Sequence, residues 1–265
     1  MTRVLAVTNQ KGGVGKTTSA VNLAASLAVL GQRVLLVDLD PQGNATMGSG
    51  IDKRQAGATV YPLLLGTATW DEACKTSPGG YDVLPANREL AGAEIDLVEL
   101  PRREHRLADA LAPRRAVYDY VLIDCPPSLS LLTLNGLCAA DAMLIPMQCE
   151  YFALEGLSDL VDTLRRIRRG LNPAIDIEGI VRTMYDARST LSRQVAEQLA
   201  THFPGKVFDT IIPRNIRLAE APSHGCAVLQ YDRNSSGSRA YLALAEELMA
   251  RRAPAAGASP GRVAA

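Results

Sequence analysis

The eight residues K-G-G-V-G-K-T-T at positions 11–18 restrict the fold more than any other stretch of the chain. They directly follow a short apolar run at 3–8, RVLAVT, which reads as a buried strand. They lead straight into 17–30, TTSAVNLAASLAVL, whose apolar spacing is helical and which stops at Gly31. A second apolar run at 33–38, RVLLVD, follows. Strand, glycine turn, helix and strand in such a short span form a βαβ unit, which implies parallel strands joined by a right-handed crossover.

That context separates a phosphate-binding loop from a chance glycine turn. Gly12, Gly13 and Gly15 let the backbone bend so that its N–H groups face inward. Val14 lies between them, and the following helix adds its positive end. Lys16 would reach the β- and γ-phosphates of a nucleotide, the Thr17 hydroxyl would ligate magnesium, and Thr18 would add a phosphate contact. A plain structural turn would need neither the lysine nor the threonines.

Further strands are expected at 81–84, 118–123, 142–147, 177–184 and 206–210, with helices at 103–112, 130–139, 153–169, 188–203 and 238–251. This alternation predicts an α/β fold, a doubly wound and mostly parallel sheet of the P-loop nucleotide-binding type. The runs at 118–123 and 142–147 are continuously apolar, as when helices cover both sheet faces. Residues 44–80 read as a loop with short helices. One domain is expected over 1–252, followed by an Ala/Pro/Gly/Ser-rich tail at 253–265 that is expected to be disordered. Of the 265 residues, 47% are hydrophobic and 21% charged, enough apolar material for one packed core. Zero formal net charge excludes a strongly basic coat protein but not a local basic patch. An odd number of cysteines, five, with no C-x-x-C pair points to reduced thiols and a cytoplasmic setting. No apolar run has the length of a membrane span.

Three carboxylates stand where chemistry would need them. Asp38 and Asp40 follow the second strand in V-D-L-D-P-Q-G-N, close to the phosphate site if that strand lies near the first. From the residues alone, a turn or capping carboxylate is the lesser reading of Asp38. Asp124 ends the apolar strand in Y-D-Y-V-L-I-D-C-P-P, a Walker B pattern whose carboxylate would hold magnesium directly or through water.

The common loop reads G-x-x-x-x-G-K-[ST]; here Gln10 takes the first glycine's place and a second lysine, Lys11, opens the loop. This resembles the deviant Walker A motif of the ParA/MinD superfamily. The blocks LLVDLDPQGNAT, DYVLIDCPPSLSLLTLN, PMQCEYFALEGL, TMYDARSTLSRQV and IPRNIRLAEAPSHG extend the resemblance, from about residue 3 to 250, to the chromosomal ParA (Soj) proteins. The resemblance implies ATP and magnesium as cofactors and an ATP-dependent homodimer in which Lys11 reaches the partner's nucleotide. It gives Asp40 the placing of the attacking water and puts Asp38 in the magnesium and switch network. It assigns Pro213 and Asn215 to the adenine pocket, sets Met184 and Asp186 close to the nucleotide, and makes Arg188 and Arg217 non-specific DNA contacts. The implied function is a DNA-partition switch in the cytoplasm, on the nucleoid. It would bind double-stranded DNA when ATP-bound and be released when a ParB-like partner stimulates slow hydrolysis; no stable membrane association is expected.

Two features depart from the pattern. Cys226 stands where relatives often carry lysine, and the chain starts at its first strand, so no N-terminal helix-turn-helix is expected. The run R-R-I-R-R at 165–169 reads as cations at a helix C-terminus, or as part of a DNA face. The last helix is amphipathic and is expected to dock on the core. The main alternative is a MinD-like membrane-positioning ATPase. An iron-protein-like electron-transfer ATPase would need cluster-bridging cysteines, for which Cys125 and Cys138 are poorly spaced. A ligase of the dethiobiotin-synthetase kind would need a small-molecule acceptor.

Overall fold

A computed structural model of the chain describes residues 1–252; the tail at 253–265 lies outside the described residues. The strands are β1 Arg3–Val7, β2 Val34–Asp38, β3 Lys75–Thr76, β4 Asp82–Leu84, β5 Tyr120–Asp124, β6 Ala142–Gln148, β7 Asp176–Tyr185 and β8 Val207–Pro213. The helices are α1 Lys16–Val29, α2 Asn44–Gly48, α3 Val60–Leu65, α4 Trp70–Ala73, α5 Ala93–Asp96 and α6 Arg106–Leu111. They continue as α7 Leu131–Ala139, α8 Ala153–Gly170, α9 Thr190–His202, α10 Ile216–Glu220, α11 Val228–Tyr231 and α12 Ser236–Arg252.

All eight strands join one sheet in the order β3-β4-β2-β5-β1-β6-β7-β8. Every pairing is parallel except β3 with β4. Side-chain alternation along the strands sorts the core into two layers. Val4, Ala6, Leu35, Val37, Val121 and Ile123 face one layer, shared with Leu157, Leu160 and Leu164 of α8 and Leu199 of α9. Leu5, Val7, Val34, Leu36, Tyr120 and Leu122 face the other, shared with Ala20, Leu23 and Leu27 of α1 and Tyr241, Leu244 and Leu248 of α12. With both faces covered, the central strands are buried almost throughout, which is why their sequence is a run of apolar residues rather than an alternation.

The last helix docks as expected, and α1 is nearly engulfed beneath it. The Ser19 hydroxyl meets Tyr241 Oη at 3.0 Å, and Asn22 Oδ1 accepts the Val228 N–H at 2.7 Å. At the other end of α8, the arginine run closes the helix, with Arg168 donating to the Ile175 carbonyl.

Several boundaries differ from the sequence reading. The expected helix at 103–112 is a 3-10 turn, Arg103–His105, and then α6. The helix expected from 188 starts at Thr190 because Ser189 caps it, its hydroxyl accepting the Ser192 N–H. The short elements β3, α5, α10 and α11 had no periodic signal of useful length.

Candidate functional site

Central β1 lies between β5 and β6, the point where the winding of the sheet reverses. Loops leaving the carboxyl ends of the strands splay apart there and leave a crevice. The loop from Thr8 to Gly15 occupies it. Gly13 and Gly15 have φ of +74° and +88°, a left-handed backbone that suits glycine. A Cβ at Gly12 or Gly13 would meet nothing within 4 Å, so the cradle is open on that side. Helix α1 starts with no side-chain cap and no acidic residue in its first turn, and its first main-chain bond runs from Ser19 N–H to the Gly15 carbonyl. The preceding N–H groups have no intrahelical acceptor, and together with the helix dipole they form an anion site.

Lys16 is buried. Its Nζ donates to the Lys11 carbonyl at 3.0 Å, closing the loop on itself. Burial lowers its pKa, while the charges of Asp124, Cys125 and Asp40 pull the other way. Lys11 projects outward and pairs with Glu150 at 2.6 Å, both side chains part-exposed.

Behind the loop, Asp38 and Asp124 end adjacent strands and sit directly opposite each other in the β2–β5 register. Both are fully buried, yet their environments differ. Asp38 Oδ2 accepts from the Thr46 N–H at 2.8 Å and the Thr46 hydroxyl at 2.7 Å, and Oδ1 accepts the Asp40 N–H at 3.1 Å. Burial pushes its carboxyl up to about 6 against those hydrogen bonds. Neither oxygen of Asp124 has a hydrogen-bond partner among the described residues. Burial, then the charge of Asp38, raises its pKa well above the carboxylate range; the Thr17 hydroxyl lies near enough to oppose this without reaching good hydrogen-bond geometry.

A buried carboxylate with both oxygens open, beside a threonine hydroxyl at the mouth of an anion cradle, is a donor set for a hard, oxygen-loving cation shared with phosphate. No group of three or more His, Cys, Asp or Glu that could hold a metal by itself occurs among the described residues. The residues therefore suit magnesium bound jointly by Thr17, Asp124 and phosphate oxygens. Asp38, expected in the magnesium network, accepts three hydrogen bonds from the Asp40–Thr46 turn, and its charge acts on Asp124.

A cleft of about 570 Å³ runs from the loop toward β8, lined by Gly12, Gly13, Gly15, Lys16, Thr17, Thr18, Asp40, Met184, Pro213 and Asn215 among others. Of the expected nucleotide residues, Met184, Pro213 and Asn215 line it. Asn215 caps α10 through Oδ1 on the Leu218 N–H and donates to Ser236 Oγ at 2.7 Å. Asp186 is not part of the lining; Arg188 takes both its oxygens and holds its carboxyl down at about 2. Arg188 is itself highly exposed, and Arg217 is held by Glu220 at 2.8 Å. Both arginines are thus held by acids of their own chain. Sequence reasoning missed Thr183, Ile212 and Tyr241 in the lining. Their only signal was proximity to Met184 and Pro213, or, for Tyr241, to nothing local at all. Cys125 is fully buried with its thiol pushed up, a poor ligand for a cluster shared between chains. No helix among the described residues is long and apolar enough to cross a membrane.

Residues 2–177 match a family described as an AAA domain. The chain is 55% identical over 252 residues to the chromosome partitioning protein ParA of Caulobacter vibrioides, covering 94% of each. It is 53% identical over 251 residues to the sporulation initiation inhibitor protein Soj of Bacillus subtilis, covering 94% of this chain and 99% of that one. Among solved structures it is similar to a Mycobacterium smegmatis protein described as cobyrinic acid a,c-diamide synthase, with bound ADP and magnesium. That match has a TM-score of 0.83 at 41% identity and covers 94% of each chain.

Proposed function

The chain belongs to the ParA/Soj family of chromosome-partitioning ATPases, and from that premise we propose that it works as an ATP-dependent, dimeric DNA-partition switch. The observation that carries the reading is Asp124, buried and partnerless behind the phosphate cradle beside Thr17. Magnesium held there would screen the phosphate charge that grows during hydrolysis. The Gly12–Thr18 loop binds the phosphates, with Lys16 neutralising them from below. Asp40, at the cleft wall, orients the attacking water. Met184, Pro213 and Asn215 enclose the base end. The ADP and magnesium bound by the Mycobacterium smegmatis relative support the choice of ligands.

In a single chain Lys11 rests on Glu150. In the proposed dimer it turns to the partner's nucleotide and adds positive charge there, which makes closure depend on ATP. The closed dimer presents Arg188 and Arg217 to DNA phosphates, without reading bases. A ParB-like protein stimulates hydrolysis and frees the dimer, and the setting is the cytoplasm, on the nucleoid. Nothing among the described residues favours the membrane-positioning alternative, since α12 spends its apolar side on the core.

Duplex DNA binding with ATP, ADP or no nucleotide, across a salt series, tests this. Binding should require ATP, ignore sequence, and weaken with salt by a slope of about 0.9 per phosphate neutralised. Lys16→Ala and Lys11→Ala should abolish it, and Arg217→Ala should weaken it at every sequence alike. ATP-independent binding, or no DNA binding together with lipid-stimulated hydrolysis, overturns the reading.

A further inference from the structure

The phosphate loop is held from outside by a residue far away in the chain. The Thr183 hydroxyl, on β7, donates to the Val14 carbonyl at 2.8 Å across 169 residues of sequence, and both residues are buried. The peptide unit is planar and trans, so its N–H points opposite to its C=O. With the Val14 carbonyl turned toward β7, the Gly15 N–H faces the other way, into the cradle at the start of α1. Gly13 and Gly15 are both in the left-handed region, so little else in the local backbone opposes a flip of this peptide. The Thr183 methyl backs the same turn, 3.9 Å from the place a Gly15 Cβ would occupy.

The strand itself is shaped for the task. Met184, next to Thr183, has φ of +48°, one of only two non-glycine residues with positive φ among the described residues. A side chain in that conformation costs on the order of 1 kcal/mol and persists only where its surroundings enforce it. The β7–β8 register shifts between Arg182 and Tyr185, across the same two residues. Strand β7 thus bends at its carboxyl end, which sets the Thr183 hydroxyl under the loop and Met184 in the cleft wall.

We infer that Thr183 is a positioning residue for nucleotide binding: its hydroxyl fixes the Val14–Gly15 peptide in the phosphate-accepting orientation. This rests on the nucleotide reading of the cleft. Without the hydroxyl, the buried Val14 carbonyl has no acceptor role there, and turning it inward would set a carbonyl oxygen against phosphate. The peptide would then divide its time between two orientations, and only one binds.

The test uses the full chain, magnesium and N-methylanthraniloyl-ATP in equilibrium titrations, with thermal melting of the nucleotide-free protein alongside. Thr183→Val keeps the shape and β-branching but loses the donor; Thr183→Ser keeps the donor. Valine should weaken binding about tenfold, the loss of one buried hydrogen bond's worth of preorganisation. Serine should stay within about twofold of wild type. A merely structural hydroxyl would lower the melting temperature of the valine variant and leave the affinity of the folded protein untouched. That result, or equal losses for valine and serine, overturns the inference. If Thr183→Val does not fold, Thr183→Ala is judged by the same two outcomes. Lys16→Ala separates the layers of the argument. Should it lose binding while Thr183→Val does not, only the role of Thr183 falls; should wild type itself not bind the probe, the nucleotide reading falls with it.

Discussion

The two ends of the sheet treat charge in opposite ways. At the amino ends of the strands, several surface acids are paired with arginines. Arg3 pairs with Glu178, Arg33 with Asp119 at 2.8 Å, and Arg115 with Asp141 at 2.6 Å. The Asp141 carboxylate also accepts the Val4 N–H at 2.8 Å, tying β1 in place. At the carboxyl ends, Asp38 and Asp124 lie buried side by side with no cation bonded to either, and Lys16 is buried with only a carbonyl for its Nζ. Half-exposed ion pairs add roughly 0–1 kcal/mol apiece and their loss is tolerable. Buried unpaired charge destabilises the empty protein, and it persists where a ligand will supply the missing partner.

The sharpest way to break this contrast is Asp124→Asn. Removing a buried charge without a partner should hold or raise the melting temperature of the nucleotide-free chain. Magnesium-dependent ATP hydrolysis should fall by on the order of 100-fold, as when a metal's protein anchor is lost. A drop in stability with hydrolysis intact would mean that Asp124 is an ordinary core residue. No single substitution at the amino end should separate stability from activity in this direction.

Acidity offers a second test, because the two ends should respond with opposite sign. Asp38 has its pKa raised to about 6, so between its unfolded value and that pH the folded chain holds more protons than the unfolded one. Stability from this end is therefore greatest in acid and is lost as pH rises toward 6, by roughly 3 kcal/mol at most for one group shifted that far. Asp119, held at about 2 by Arg33, contributes stability above its unfolded value and loses it as pH falls toward 2. Exposure limits that contribution to under about 1 kcal/mol. Melting curves of the nucleotide-free chain should decline from pH 4 to 6.5. A rise over the same interval would show that the buried pair is ionised throughout.

The smallest effect is expected from Arg33→Ala. Chemical denaturation should show little or no loss of stability, with nucleotide affinity unchanged. A larger loss would make the amino end a structural clamp and weaken the contrast between the two ends.

The site was legible in the sequence to the degree that it is local. Lys11 to Thr18 carry their chemistry within one turn between a strand and a helix, and apolar runs ending in Asp38 and Asp124 announce strands that deliver a carboxylate to their carboxyl ends. Residues whose role depends on what lies across the fold were not legible. Thr183 differs from any strand threonine only in that a glycine loop from the amino terminus packs against it. Tyr241 reaches the cleft from the last helix and finds Ser19. The short edge strand at Lys75–Thr76 and the single-turn helices near α10 fall below the length at which periodicity can be read, and tertiary contacts hold them.

By itself the sequence determined the class of the fold and the identity of the phosphate loop, because hydrophobic periodicity and glycine placement act over a few residues and need no partner. It also carried the family resemblance, through blocks spread over most of the chain. Only the tertiary structure decided the division of labour between the two buried aspartates. Both end an apolar strand, and both look alike as letters. The Asp40–Thr46 turn folds back onto Asp38 and gives it three hydrogen bonds, while no donor among the described residues reaches Asp124. A hydrogen bond depends on where the donor arrives in space, and that is settled by the packing of the whole sheet rather than by the order of residues along it.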